Sequence, residues 1–142
     1  MKNIRHTGLV IRDVKESLFF YTKLLGFKIE KDQLETGGYI DTFLGMKNVS
    51  VRTIKMSLGP GSMIELLYFD NPKSFGDPPR LINFGCTHIA LTVYDLEETY
   101  KKLSNEGVFF VSSPHLSPDG KAKVAFCKDP NGIYIELVEE IQ

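Results

Sequence analysis

An α+β chain built from two tandem strand-helix-three-strand modules is the architecture this sequence predicts, and three observations carry it. The text repeats: His6-Thr7-Gly8-Leu9 returns as His88-Ile89-Ala90-Leu91, and Ile64-Glu65-Leu66 returns as Ile135-Glu136-Leu137. Each copy opens with alternating apolar and polar residues, as a half-buried strand requires, and continues into a capped amphipathic helix. Between the copies lies a stretch with Pro72, Gly76, Pro78 and Pro79 that can continue neither a helix nor a central strand. The boundaries expected from this pattern are a first βαβββ module at 1–70, a linker at 71–83 and a second βαβββ module at 84–142.

In chain order, Asn3 to Ile11 alternates as a strand, with His6, Gly8 and Val10 on one face. Asp13 and Glu16 are spaced as a capping box, and Val14, Leu18, Tyr21, Leu24 and Leu25 form the apolar stripe of the helix that follows. Gly26 ends that helix, and Phe27 to Glu30 begins a second strand. Asp32 to Lys47 shows no sustained period and is interrupted by Gly37, Gly38 and Gly45, which predicts a mobile loop or a short irregular helix. Two more strands, Asn48 to Leu58 and Ser62 to Phe69, flank the turn Gly59-Pro60-Gly61.

The second copy runs from a strand at Phe84 to Val93 into a helix capped by Asp95 and Glu98 and stopped by Gly107. Strands are then expected at Val108 to Ser112, Lys121 to Lys128 and Gly132 to Glu139, the last two joined by Asp129-Pro130-Asn131-Gly132. The histidines are 82 residues apart and the glutamates 71, so the first copy holds eleven extra residues, mostly in the Asp32 to Lys47 stretch. That surplus is a candidate lid over a shared site.

Composition narrows the function. Seventeen basic and eighteen acidic side chains, without a basic stripe or acidic tail, give no electrostatic reason to expect nucleic acid or a membrane as partner, and favour a small-molecule substrate. No apolar run approaches the roughly 20 residues of a membrane span, and the polar start lacks a secretory leader, so a cytoplasmic location is expected. Cys86 and Cys127 have neither a CxxC nor a zinc-type neighbour, and are expected to be reduced thiols packed as small hydrophobes.

Strand alternation assigns the faces. His6 shares its face with Gly8 and Val10, and His88 with Ala90 and Thr92; Glu65 and Glu136 lie on the last strands, with Ile64, Leu66, Ile135 and Leu137 on the opposite, helix-covered side. One histidine and one carboxylate on the uncovered side of each half supply four ligands, His6, Glu65, His88 and Glu136, for a single divalent ion. Two neutral imidazoles and two carboxylates offset its charge and leave room for substrate oxygens, and nickel, zinc, cobalt, iron or manganese all suit such a set. His115 reads as an exposed loop histidine, and Tyr39, Arg52 and Lys123 as generic loop or strand residues beside the site.

These residues resemble the vicinal-oxygen-chelate superfamily, which includes glyoxalase I, methylmalonyl-CoA epimerase, extradiol dioxygenases and fosfomycin and bleomycin resistance proteins. The resemblance spans nearly the whole chain and is most specific over His6 to Gly26, His88 to Gly107 and Ala125 to Leu137. It implies a glyoxalase-like fold, in which paired βαβββ modules form a cupped mixed sheet around a metal. The His-Glu-His-Glu set is similar to that of glyoxalase I, which implies a metal-dependent lyase or isomerase that binds vicinal oxygens of a small substrate and stabilises an enediolate. In that mechanism Glu136 is the catalytic base, with Glu65 opposite it as ligand or alternate base.

Two positions depart from the pattern. Bacterial glyoxalase I has an arginine four residues after its first histidine and an asparagine four after its first glutamate, where this chain has Val10 and Phe69. That implies lactoylglutathione lyase-like chemistry with altered thiol recognition. The alternatives are an extradiol-type dioxygenase, a methylmalonyl-CoA epimerase-like enzyme, or a ligand-sequestering resistance protein. An open sheet edge in each module argues for a homodimer.

Overall fold

A computed structural model of the chain describes residues 1–141. It divides into two compact units, one from Met1 to Gly76 and one from Asp77 onward. Each unit holds one four-stranded mixed sheet with a single parallel pair, so the fold is α+β with the motif used twice.

In the first unit the elements are β1 (Thr7–Val10), α1 (Val14–Leu18) continued by a π-helical segment (Phe19–Leu24), β2 (Lys28–Thr36), α2 (Gly38–Leu44), β3 (Ser50–Ser57) and β4 (Met63–Asn71). Their order across the sheet is β1-β4-β3-β2, with β1 parallel to β4 and the other pairs antiparallel. The capping residue acts as its position predicts: the Glu16 backbone N–H donates to the Asp13 carboxylate at 2.8 Å, satisfying a donor the first turn leaves free. Leu9, Ile54, Met56, Ile64 and Leu66 are buried on the sheet face opposite Glu65, and Ser17, Phe20 and Tyr21 are the buried helical residues. Tyr21 meets Phe20 and Phe27 edge-on, at ring separations of 5.1 and 5.8 Å.

The Gly-rich stretch takes the helical of its two expected forms. β2 continues to Thr36, and α2 is a short, regular helix of seven residues rather than a mobile loop. Gly37 and Gly45 flank α2 with φ of 92° and 65°, so these glycines are helix boundaries that need left-handed backbone and are not marks of flexibility. The Asp41 carboxylate accepts from the backbone N–H groups of Asn48 and Val49 at 2.9 and 2.7 Å, which ties the helix to the start of β3. Ile40 packs with Val49 and Val51, and Leu44, Leu67 and Phe69 join them. Periodicity could not show this, because seven residues are too few turns to display a stripe.

The second unit contains β5 (His88–Thr92), α3 (Leu96–Asn105), β6 (His115–Leu116), β7 (Ala122–Lys128) and β8 (Tyr134–Glu140), in the order β5-β8-β7-β6. Asp95 caps α3 through the Glu98 N–H at 2.8 Å, and the Glu139 carboxylate accepts from the Leu96 N–H at 2.8 Å. Leu96, Leu103, Ala125, Cys127, Ile135 and Leu137 are its buried apolar residues. The strand expected at Val108 to Ser112 is reduced to a bridge from Phe110 to Cys127, flanked by the bonds Val111 N–H to Phe126 O and Lys128 N–H to Phe109 O. His115, expected in a loop, instead starts the short edge strand β6.

Both thiols are free, but their settings differ. Cys86 is exposed, contrary to its expected packing, whereas Cys127 is fully buried, and burial together with the nearby Asp129 charge pushes its thiol up to about 12. At pH 8 iodoacetamide should therefore label Cys86 alone in the folded protein and both cysteines after unfolding. Mass spectrometry of the alkylated peptides checks this, and rapid native labelling of Cys127 would contradict it.

Candidate metal centre

Each unit brings its own histidine and glutamate together. β1 lies parallel to β4 with Gly8 opposite Glu65, and β5 lies parallel to β8 with Ala90 opposite Glu136. In both cases the histidine is two residues before the residue facing the glutamate, so strand alternation puts the two side chains diagonally adjacent on one face. His6 Nε2 stands 3.1 Å from Glu65 Oε2, and His88 Nε2 stands 3.3 Å from Glu136 Oε2. Gly8 fits this arrangement: a Cβ there would press on the Leu67 side chain at 3.3 Å.

These distances suit two ligands of one ion. Metal–nitrogen and metal–oxygen lengths near 2.1 Å separate adjacent donors by about 3.0 Å in an octahedron and about 3.4 Å in a tetrahedron. The buried Nδ1 of His6 has no hydrogen-bond partner among the described residues. Among the described residues no three His, Cys, Asp or Glu side chains gather closely enough to hold an ion, and each unit contributes one two-donor pair. The His–Glu donor sets fit a divalent metal in chemistry and spacing.

The two pairs have different neighbours. Lys55 lies directly opposite Glu65 across β3 and β4, with Nζ 3.4 Å from Glu65 Oε1. The corresponding residue opposite Glu136 is Phe126, whose ring meets His88 edge-on at 5.3 Å. Reading residue types alone missed both, although a signal existed. A turn centred on Pro60 sets residues five before and five after it opposite one another, and a turn centred on Asn131 does the same for Phe126 and Glu136.

The other residues considered beside the site fall elsewhere. Arg52 and Lys123 alternate onto the faces opposite Glu65 and Glu136. Arg52 forms a two-pronged ion pair with Asp32 at 2.8 and 2.7 Å, and hydrogen bonding to its guanidinium holds the Asp32 carboxyl below the usual range. Tyr39 is exposed on α2, stacked on Phe43. His115 pairs with Val124, and its ring Nδ1 lies 2.7 Å from the Ser113 carbonyl. Val10 is half exposed, and Phe69 packs with the α2 cluster, so neither presents a polar group.

Two strand-helix-three-strand units, each with a matched His–Glu pair between its first and last strands, define a class of small α+β proteins built by duplication. The chain belongs to the Glyoxalase/Bleomycin resistance protein/Dioxygenase superfamily, whose pattern matches residues 3–137. A lactoylglutathione lyase of Pseudomonas aeruginosa is 31% identical over 147 residues, covering 94% of this chain and 80% of its own length. One from Escherichia coli O157:H7 is 28% identical over 135 residues, covering 95% and 90%. A glyoxalase family protein from Bacillus cereus superposes with a TM-score of 0.91 at 20% identity, covering 100% of this chain and 96% of that one, which establishes the glyoxalase-like fold. No helix among the described residues is long and apolar enough to cross a membrane.

Proposed function

We propose that this chain is a metal-dependent lyase or isomerase of the glyoxalase I type, with His6, Glu65, His88 and Glu136 holding one divalent ion. The observation that carries the reading is that both His–Glu pairs occur at the same strand register, with donor separations of 3.1 and 3.3 Å. Two such halves complete a four-ligand centre, and relatives named lactoylglutathione lyase support the same chemistry. The homodimer is supported by Phe75, Ile82, Phe84 and Tyr94, large apolar side chains left almost fully in water. The cytoplasm is the proposed location.

The substrate is a small α-hydroxycarbonyl compound, such as the hemithioacetal of an α-ketoaldehyde. When bound, a divalent ion supplies Lewis acidity toward two adjacent substrate oxygens and lowers the cost of the negative charge that develops on them. Glu136 takes the proton from the carbon bearing the hydroxyl and returns it to the neighbouring carbon, so one carboxylate acts first as base and then as acid. Phe126, across the strand from Glu136, offers that carboxylate neither a hydrogen bond nor a charge. Glu65, between His6 and Lys55, is held more firmly and is the ligand or alternate base. Val10 and Phe69 provide neither the cation nor the amide that would hold the glutathione moiety, so a thiol other than glutathione is the co-substrate.

The test is metal analysis of the purified protein, reconstitution with nickel or zinc, and assay on methylglyoxal with several thiols. Stoichiometric metal and turnover with a thiol other than glutathione are expected. Failure to take up any divalent ion would defeat the metal-centre reading; efficient turnover of the glutathione adduct would defeat the altered thiol preference.

A further inference from the structure

We propose that Lys55 is a resident cation of the first His–Glu pair: it stands against the Glu65 carboxylate in the metal-free protein and its charge opposes a divalent ion binding there, which lowers the metal affinity of the site. The inference rests on the reading of Glu65 as a metal ligand. Its basis is the difference between two otherwise matched half-sites. His6 Nε2 takes one oxygen of Glu65 at 3.1 Å and Lys55 Nζ faces the other at 3.4 Å, so both oxygens have a partner within this chain. The side chains of Lys55 and Glu65 are only 25% and 13% exposed, so water screens this attraction less than it would a surface pair.

The sheet itself directs the ammonium group toward Glu65. Along one cross-strand row, Lys31 on β2, Lys55 on β3 and Glu65 on β4 stand side by side. Unlike charges directly opposite attract, so Glu65 draws the Lys55 side chain toward itself. The equivalent pair of the second unit has Phe126 facing Glu136, and among the described residues no lysine or arginine forms an ion pair with Glu136. A divalent ion arriving at Glu65 meets an ammonium group already there, whereas one arriving at Glu136 does not. Lys55 thereby favours metal release at the first half-site and keeps the Glu65 side chain ordered when the ion is absent.

The experiment is zinc competition against a chromophoric chelator at fixed pH and salt, using the full chain and its variants Lys55→Met, Lys55→Gln and Lys55→Arg. Removing the charge is expected to tighten zinc binding about tenfold or more, whereas arginine retains wild-type affinity. In the background of Glu65→Gln, Lys55→Met should lose this effect, because the carboxylate it competes for is gone. A purely structural lysine would not show that coupling. Unchanged or weaker zinc binding in both neutral variants, or tightening in Lys55→Arg equal to theirs, would overturn the proposal while leaving the metal centre standing. Absence of zinc binding in the wild type and in every variant would overturn both.

Discussion

Replacing Glu136 by glutamine is expected to lower kcat about 10³-fold, a barrier increase of about 4 kcal/mol, while part of the metal affinity survives. Glutamine has nearly the same shape and keeps a carbonyl oxygen that can coordinate an ion, but it cannot accept a proton from carbon. Three of the four proposed ligands remain, so metal content and proton transfer separate in this one variant. Glu65→Gln should show a smaller loss of kcat, since the proton transfer assigned to Glu136 is intact. Steady-state assays on the reconstituted protein, with metal content measured on the same sample, check both. If Glu136→Gln retained near-normal kcat at full metal loading, Glu136 would not be the base.

The largest expected loss of stability is at the turn that sets Glu136 in place. Asp129 is buried, and its carboxylate accepts from the backbone N–H groups of Asn131 and Ile133 and from the Asn131 side-chain amide, each at 2.8 Å. Alanine at this position strands several buried donors at once and should cost about 3 kcal/mol or more. A second variant probes the same turn sterically. Gly132 has φ of 85°, and a Cβ there would lie 2.7 Å from Cγ of Pro78, so Gly132→Ala combines left-handed backbone strain with a collision. Urea unfolding should show a lower midpoint in both variants with little change in slope. β8 begins at Tyr134, two residues past Gly132, so the turn also sets the register that places Phe126 opposite Glu136.

Much of the fold was legible because its signals are local and occur twice. The capping aspartates Asp13 and Asp95 bond their predicted partners, and the alternation of Ile64-Glu65-Leu66 and Ile135-Glu136-Leu137 places apolar residues inside and carboxylates on the other face. Alternation has a period of two, so a histidine and a glutamate can be assigned to faces before any partner strand is known. α2 was legible only as one of two alternatives, since its seven residues depend on the Asp41 carboxylate and on packing of Ile40 against Val49 and Val51. The expected strand at Val108 to Ser112 likewise depends on what β7 can pair with, and only Phe110 bridges it.

The sequence by itself determined the duplicated motif, the helix starts and the residue types of the two pairs, because capping, turn chemistry and strand periodicity act over a few neighbouring residues. Only the tertiary structure decided that His6 meets Glu65 and His88 meets Glu136, and that Lys55 stands beside the first carboxylate while Phe126 faces the second. Those neighbours are set by pairing between strands distant along the chain, where a shift of one residue would send each side chain to the other face.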